Sequence, residues 1–132
     1  MLPRTNFHNE SNRSDRRMIM IVDDNVPIRA MIKHFIQSIS ADEEFYECND
    51  GSEAIDAYER LRPKWVLMDI KMPGMDGLAA TETIRSQFPE AQIIIITNFD
   101  DPELHDAARK AGAAGYVLKD NLTDLRRAMG IS

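Results

Sequence analysis

Residues 65–77 read WVLMDIKMPGMDG. The first four are apolar without interruption, too few for an ordinary helix and about right for a strand buried on both faces. The chain then turns polar at Asp69, meets Pro73 and reaches Gly77, residue types that punctuate a loop. A strand over 65–68 is therefore expected, with a carboxylate at its carboxyl end.

The same grammar repeats on both sides of this stretch. MIMIV (18–22) runs straight into Asp23 and Asp24, QIIII (92–96) is followed by Thr97, and GYVL (115–118) by Lys119. EFYEC (44–48) alternates instead, which fits an edge strand better than a central one. Between these runs Ile28, Ile32, Phe35, Ile36 and Ile39 recur at helical spacing, as do Ala54, Ile55, Tyr58 and Leu61. Weaker stripes join Leu78 to Ile84, Leu104 to Ala107, Ala108 and Ala111, and Leu122 to Leu125 and Met129. Gly51, Gly77, Gly112 and Gly115, with Pro63, Pro73, Pro89 and Pro102, fall at the joins. Strands alternating with helices predict an α/β fold around a parallel sheet, because each parallel crossover needs a helix.

At 132 residues the chain has room for one ordinary core. With 43% hydrophobic and 29% charged residues it reads as a globular domain. The net charge of −6 argues against direct nucleic-acid contact by this chain, which needs a concentrated basic surface. A single cysteine, Cys48, makes no internal disulfide, and a reducing cytoplasm is the natural compartment. No apolar run approaches the roughly 20 residues of a membrane-spanning helix. Residues 1–17 are polar, lack a signal peptide's apolar stretch and read as a flexible tail, with the domain expected over 18–130.

In an open parallel sheet, ligands bind beyond the carboxyl ends of the strands. Asp23, Asp24, Asp69, Thr97 and Lys119 would all share that rim. Clustered carboxylates suit a hard divalent cation that keeps some of its waters, and Mg²⁺ is the expected ion. Taken singly, each residue has a plainer explanation: loops are rich in Asp, a Thr after a strand serves turns, and a surface Lys is solvated. Their joint order along the strands is what carries the signal.

MIVDDN (20–25), LMDIKMPGMDG (67–77), IIIITN (93–98) and AGAAGYVLKD (111–120) together resemble the receiver domain of two-component response regulators, over residues 18–129. The resemblance implies a doubly wound, flavodoxin-like sheet of order 2-1-3-4-5 with helices on both faces. It implies Asp69 as phosphoacceptor, Asp24 as a direct Mg²⁺ ligand, Asp23 acting largely through water, and the backbone carbonyl of Lys71 completing the ligands. Lys119 would supply positive charge to the phosphoryl group, and Thr97 would bond one of its oxygens and draw its loop inward. Tyr116 matches the family's switch aromatic, read out on the surface of the fourth helix, fifth strand and fifth helix. A sensor histidine kinase is the implied partner, with homodimerisation on phosphorylation as a family possibility.

AGAAGYVLKD is most similar to the NarL/LuxR-type subgroup, whose receivers precede a helix-turn-helix DNA-binding domain, so the implied output is transcription. Such a domain would need roughly 60 further residues, and a stand-alone receiver and the front of a longer regulator both fit the sequence. Asn98 departs from the family's usual smaller residue after the Thr. Lys71, Asn98 and Phe99 border the site. His8, His34 and His105 are too dispersed for a metal site, and core filling accounts for most of Met18, Met20, Met68 and Met72, whose alternative is an adaptable partner surface.

Two rival readings share these residues. A Mg²⁺-dependent aspartyl phosphatase of the haloacid dehalogenase type would, by resemblance, want a carboxylate two residues after its nucleophile, where this chain has Lys71. A phosphorylation-independent interaction module with a receiver fold would usually have lost part of the site, and every site residue is present here. No G-x-x-x-x-G-K-[ST] motif occurs, which excludes a Walker-type enzyme.

Overall fold

A computed structural model describes residues 18–131. Five strands, β1 (Met18–Val22), β2 (Glu44–Cys48), β3 (Trp65–Met68), β4 (Ile93–Thr97) and β5 (Gly115–Leu118), form one parallel sheet in the order β2-β1-β3-β4-β5. Between and after them run α1 (Val26–Ile39), α2 (Gly51–Leu61), α3 (Gly77–Gln87), α4 (Pro102–Ala111) and α5 (Thr123–Ala128). This is the flavodoxin-like arrangement that the resemblance implies. The tail expected over 1–17 lies outside the described residues.

Alternation along the central strands divides the core in two, because successive strand side chains point to opposite faces. Met20, Val22, Val66, Met68, Ile93 and Ile95 face α2, α3 and α4, where Ala54, Tyr58, Ala80, Ile84 and Ala108 meet them. Ile19, Ile21, Leu67, Ile94, Ile96 and Val117 face α1 and α5, against Ile32, Ile36 and Leu125. Both faces of β1, β3 and β4 are thus covered, which is why those strands read as continuous apolar runs. Among the described residues β2 pairs only with β1, as the alternation of EFYEC predicts.

Strand four sits one residue later than the apolar run suggests. Gln92 precedes it, its side-chain amide donating to the Lys64 carbonyl at 3.1 Å, while Thr97 closes the strand opposite Leu118. The helices begin on sequence-encoded caps. Asn25, Asp50 and Asp76 accept hydrogen bonds from the backbone amides of Ile28, Glu53 and Ala79, at 3.0, 2.9 and 2.9 Å. α4 opens with Pro102 and stops at Gly112, whose φ of 102° needs the missing Cβ. Since β1 leads outward to β2 on one side while β3, β4 and β5 build the other, a crevice opens at the carboxyl ends of β1 and β3.

Candidate functional site

The backbone ladder carries three charged residues to that crevice. The Asp23 amide donates to the Cys48 carbonyl at 3.1 Å, the Asp69 amide to Val22 at 2.9 Å, and the Lys119 amide to Thr97 at 2.8 Å. Each residue therefore sits one step past its strand with its backbone fixed. β4 lies between β3 and β5, so the long Lys119 side chain spans its end to reach both acids. Its ammonium stands 2.9 Å from Asp23 Oδ2 and 3.2 Å from Asp69 Oδ1.

Asp23, Asp24 and Asp69 each place a carboxylate oxygen within 4.8 Å of the others'. Asp23 and Asp69 are buried and Asp24 is exposed, so the cluster opens to solvent on the Asp24 side. The cleft, of about 340 Å³, is also lined by Asn25, Lys71, Asn98 and Phe99. Asp69 Oδ1 accepts the Ile70 amide at 2.9 Å as well as facing Lys119, whereas Oδ2 accepts no hydrogen bond among the described residues. Asp23 Oδ1 accepts the Asn25 amide at 2.9 Å, and its buried Oδ2 meets only the Lys119 ammonium among the described residues.

Burial, then the neighbouring Asp23 charge, pushes the Asp69 carboxyl up to about 6, with Lys119 pulling the other way. Lys119 shifts upward: burial disfavours its charge, but contacts with Asp23 and Asp69 outweigh that. One ammonium among clustered carboxylates leaves an excess of negative charge, and a hard cation bound by oxygen would relieve it. The donor set and the solvent-facing Asp24 fit such an ion.

Thr97 is fully buried, and its Oγ1 accepts the Phe99 amide at 3.3 Å, so the hydroxyl holds its own loop. The Tyr116 hydroxyl donates to the Phe99 carbonyl at 2.6 Å, while its ring stacks on His105 with centroids 3.8 Å apart. His105 Nε2 lies 2.9 Å from Asp100 Oδ1. Thr97 and Tyr116 thus meet at Phe99 rather than at the carboxylates. Lys71 lines the cleft with its ammonium 5.6 Å from the Phe99 ring centre. A larger open groove of about 710 Å³, bordered by Asp100, His105 and Arg109, contains none of the three clustered acids.

Gly77 explains how Asp69 and α3 coexist. A Cβ built there would lie 1.8 Å from the Asp69 carbonyl oxygen, and the Gly77 amide donates to the Ile70 carbonyl at 2.9 Å. The helix begins directly against the strand end, and only glycine fits.

Neither the role of Arg29 nor that of His105 follows from the strand-end pattern. Arg29 stands three residues before Ile32 and seven before Ile36, on the helix face those residues bury, so a basic residue on the apolar stripe was the available signal. His105 lacks metal-ligand spacing, and its neighbour in the fold is the Tyr116 ring.

The model of the response regulator receiver domain matches residues 19–129. The chain belongs to the response regulator receiver family. The receiver is 38% identical over 102 residues to the transcriptional regulatory protein YhcZ of Bacillus subtilis, spanning 77% of this chain and 48% of that one. A two-component response regulator of the LuxR family from Aurantimonas sp. SI85-9A1 superposes with a TM-score of 0.78 at 30% identity, covering 86% of the receiver and 84% of that chain. The chemotaxis protein CheY4 of Vibrio cholerae superposes at 0.75 with 28% identity, covering 86% and 98%. The receiver spans about half the length of the curated relatives it matches. Its similarity to LuxR-family regulators agrees with the subgroup resemblance of AGAAGYVLKD, and membership of this family makes it a signalling domain rather than a conventional enzyme. Among the described residues no helix is long and apolar enough to cross a membrane.

Proposed function

We propose that Asp69 is the phosphoacceptor of a signalling switch, charged by a histidine kinase in a Mg²⁺-dependent reaction. The observation that carries this reading is Asp69 itself: buried beside two other acids, with one oxygen held by Ile70 and Lys119 and the other accepting no hydrogen bond among the described residues. Asp69 Oδ2 attacks the phosphorus of a phosphohistidine, forming a P–O bond as the P–N bond breaks and its electron pair returns to the imidazole. The Lys119 ammonium shifts from bridging two acids to balancing the incoming phosphoryl oxygens.

Asp23, Asp24 and Asp69, with the Lys71 backbone carbonyl, would hold Mg²⁺, which when bound neutralises charge on the transferring phosphoryl group. Thr97 turns its hydroxyl from the Phe99 amide to a phosphoryl oxygen. That rotation releases Phe99, the residue whose carbonyl also holds Tyr116, so the modification reaches the surface of α4, β5 and α5 through one loop. The output we assign is control of transcription, by analogy with relatives named as transcriptional regulators; the partner is a sensor histidine kinase, and self-association on phosphorylation fits the same reading.

Borohydride reduction of acetyl phosphate-treated protein, followed by peptide sequencing in a mass spectrometer, tests the assignment. Reduction of an acyl phosphate at Asp69 gives homoserine at that position, and homoserine elsewhere with Asp69 unmodified overturns it.

A further inference from the structure

Arg29 is a buried guanidinium, 8% exposed, on the face of α1 otherwise filled by Ile32 and Ile36. A charge in that setting is retained only with well-placed partners, because its desolvation is costly. Among the described residues Arg29 has three: Nε donates to Glu47 Oε1 at 2.8 Å, one Nη donates to Asn49 Oδ1 at 2.9 Å, and the same nitrogen donates to the backbone carbonyl of Asp23. Glu47 belongs to β2, Asn49 to the loop after it, and Asp23 to the turn between β1 and α1.

We propose that Arg29 is a positioning residue for the cation site, acting through the Asp23 carbonyl; the inference rests on the phosphoacceptor reading above. Asp23 and Asp24 sit in a two-residue turn between the end of β1 and the Asn25 cap of α1. The carboxylate of Asp23 is fixed by the Asn25 amide and Lys119, and its amide by Cys48. The remaining backbone group of that residue, its carbonyl, is fixed by Arg29. With all three held, the peptide leading to Asp24 is fixed, and among the described residues the exposed Asp24 carboxylate accepts no hydrogen bond that would place it otherwise.

The geometry argues for this route over a direct charge effect. The Arg29 guanidinium is paired with Glu47 at 2.8 Å, and its hydrogen bond into the site goes to the Asp23 backbone carbonyl rather than to a carboxylate of the cluster. Lysine cannot replace it, since an ammonium lacks the planar fork that reaches the separated oxygens together.

The test titrates MgCl₂ into the full chain by calorimetry, comparing wild type with Arg29→Gln, and then measures acetyl phosphate labelling at saturating Mg²⁺. The expected result is Mg²⁺ affinity about tenfold weaker in Arg29→Gln, with far-UV circular dichroism retained and labelling at saturation restored to near the wild-type rate. Affinity within twofold of wild type in a folded variant overturns the proposal and leaves Arg29 as a stabilising residue only. If Arg29→Gln does not fold, Arg29→Lys decides: it keeps the charge but lacks the fork that reaches the Asp23 carbonyl together with Glu47, and affinity at least threefold weaker supports the proposal while a smaller change overturns it. Wild type that binds no Mg²⁺ would instead overturn the phosphoacceptor reading, so the two failures are separable.

Discussion

The Lys119 ammonium lies 3.2 Å from Asp69 Oδ1, so acid and base from strands separated by β4 form one charged unit before any phosphoryl group arrives. A phosphoryl group on Asp69 would add negative charge where this ammonium already stands. Lys119→Met keeps the stem and deletes the charge; acetyl phosphate labelling should slow by about a hundredfold, in the range lost when one preorganised donor to a transferring group is removed. Stopped-flow or timed-quench labelling measures it.

The same neighbourhood makes the metal-free domain sensitive to pH. With the Asp69 carboxyl raised from its ordinary 3.8 to about 6, the folded state holds a proton that the unfolded chain has released. Stability from this group is therefore present below about pH 4, falls as pH rises toward 6, and stays low above it, a loss of roughly 3 kcal/mol. Urea melts between pH 4 and 7.5 should show that slope in wild type and lose it in Asp69→Asn, which is expected to be the more stable protein at pH 7.5. Saturating MgCl₂ should recover part of the loss in wild type alone.

Gly77→Ala tests the close approach of α3 to Asp69. The added Cβ meets the Asp69 carbonyl at 1.8 Å, so either the helix start or the strand end must move. Destabilisation of at least about 3 kcal/mol is expected, at or beyond the upper end for overpacking, with slower labelling in whatever folds. Gly74→Ala is the control: its φ of 76° carries strain but nothing lies within 4 Å of the new atom, and a cost of about 1 kcal/mol is expected with labelling intact.

Tyr116→Phe removes the hydroxyl that donates to Phe99 and leaves the ring on His105. A loss of about 1 kcal/mol or less is expected in denaturant melts, as for a partly exposed neutral hydrogen bond. Because the β4–α4 loop is then held less firmly, amide exchange at Asn98 and Phe99 should speed up, which hydrogen-exchange mass spectrometry reads.

Much of this site was legible in the sequence because each strand is a short apolar run and the polar residue after it marks the rim. Asp23, Asp69 and Lys119 are positioned by backbone pairing, and the strand pattern encodes pairing. What depended on side-chain direction was less visible. Thr97 closes its strand with its hydroxyl turned to the Phe99 amide, an orientation no spacing could reveal. Arg29 finds Glu47 and Asn49 eighteen and twenty residues away, partners brought near only by the pairing of β1 with β2. His105 reaches Tyr116 through the packing of α4 on β5, which helical periodicity alone does not register.

Intact-mass measurement after incubation with acetyl phosphate and MgCl₂ tests the central claim most directly, run on wild type and Asp69→Asn with and without EDTA. The account predicts one added phosphoryl group on wild type, abolished by EDTA and absent from Asp69→Asn. Equal modification of Asp69→Asn, or no modification of wild type in Mg²⁺, would contradict it.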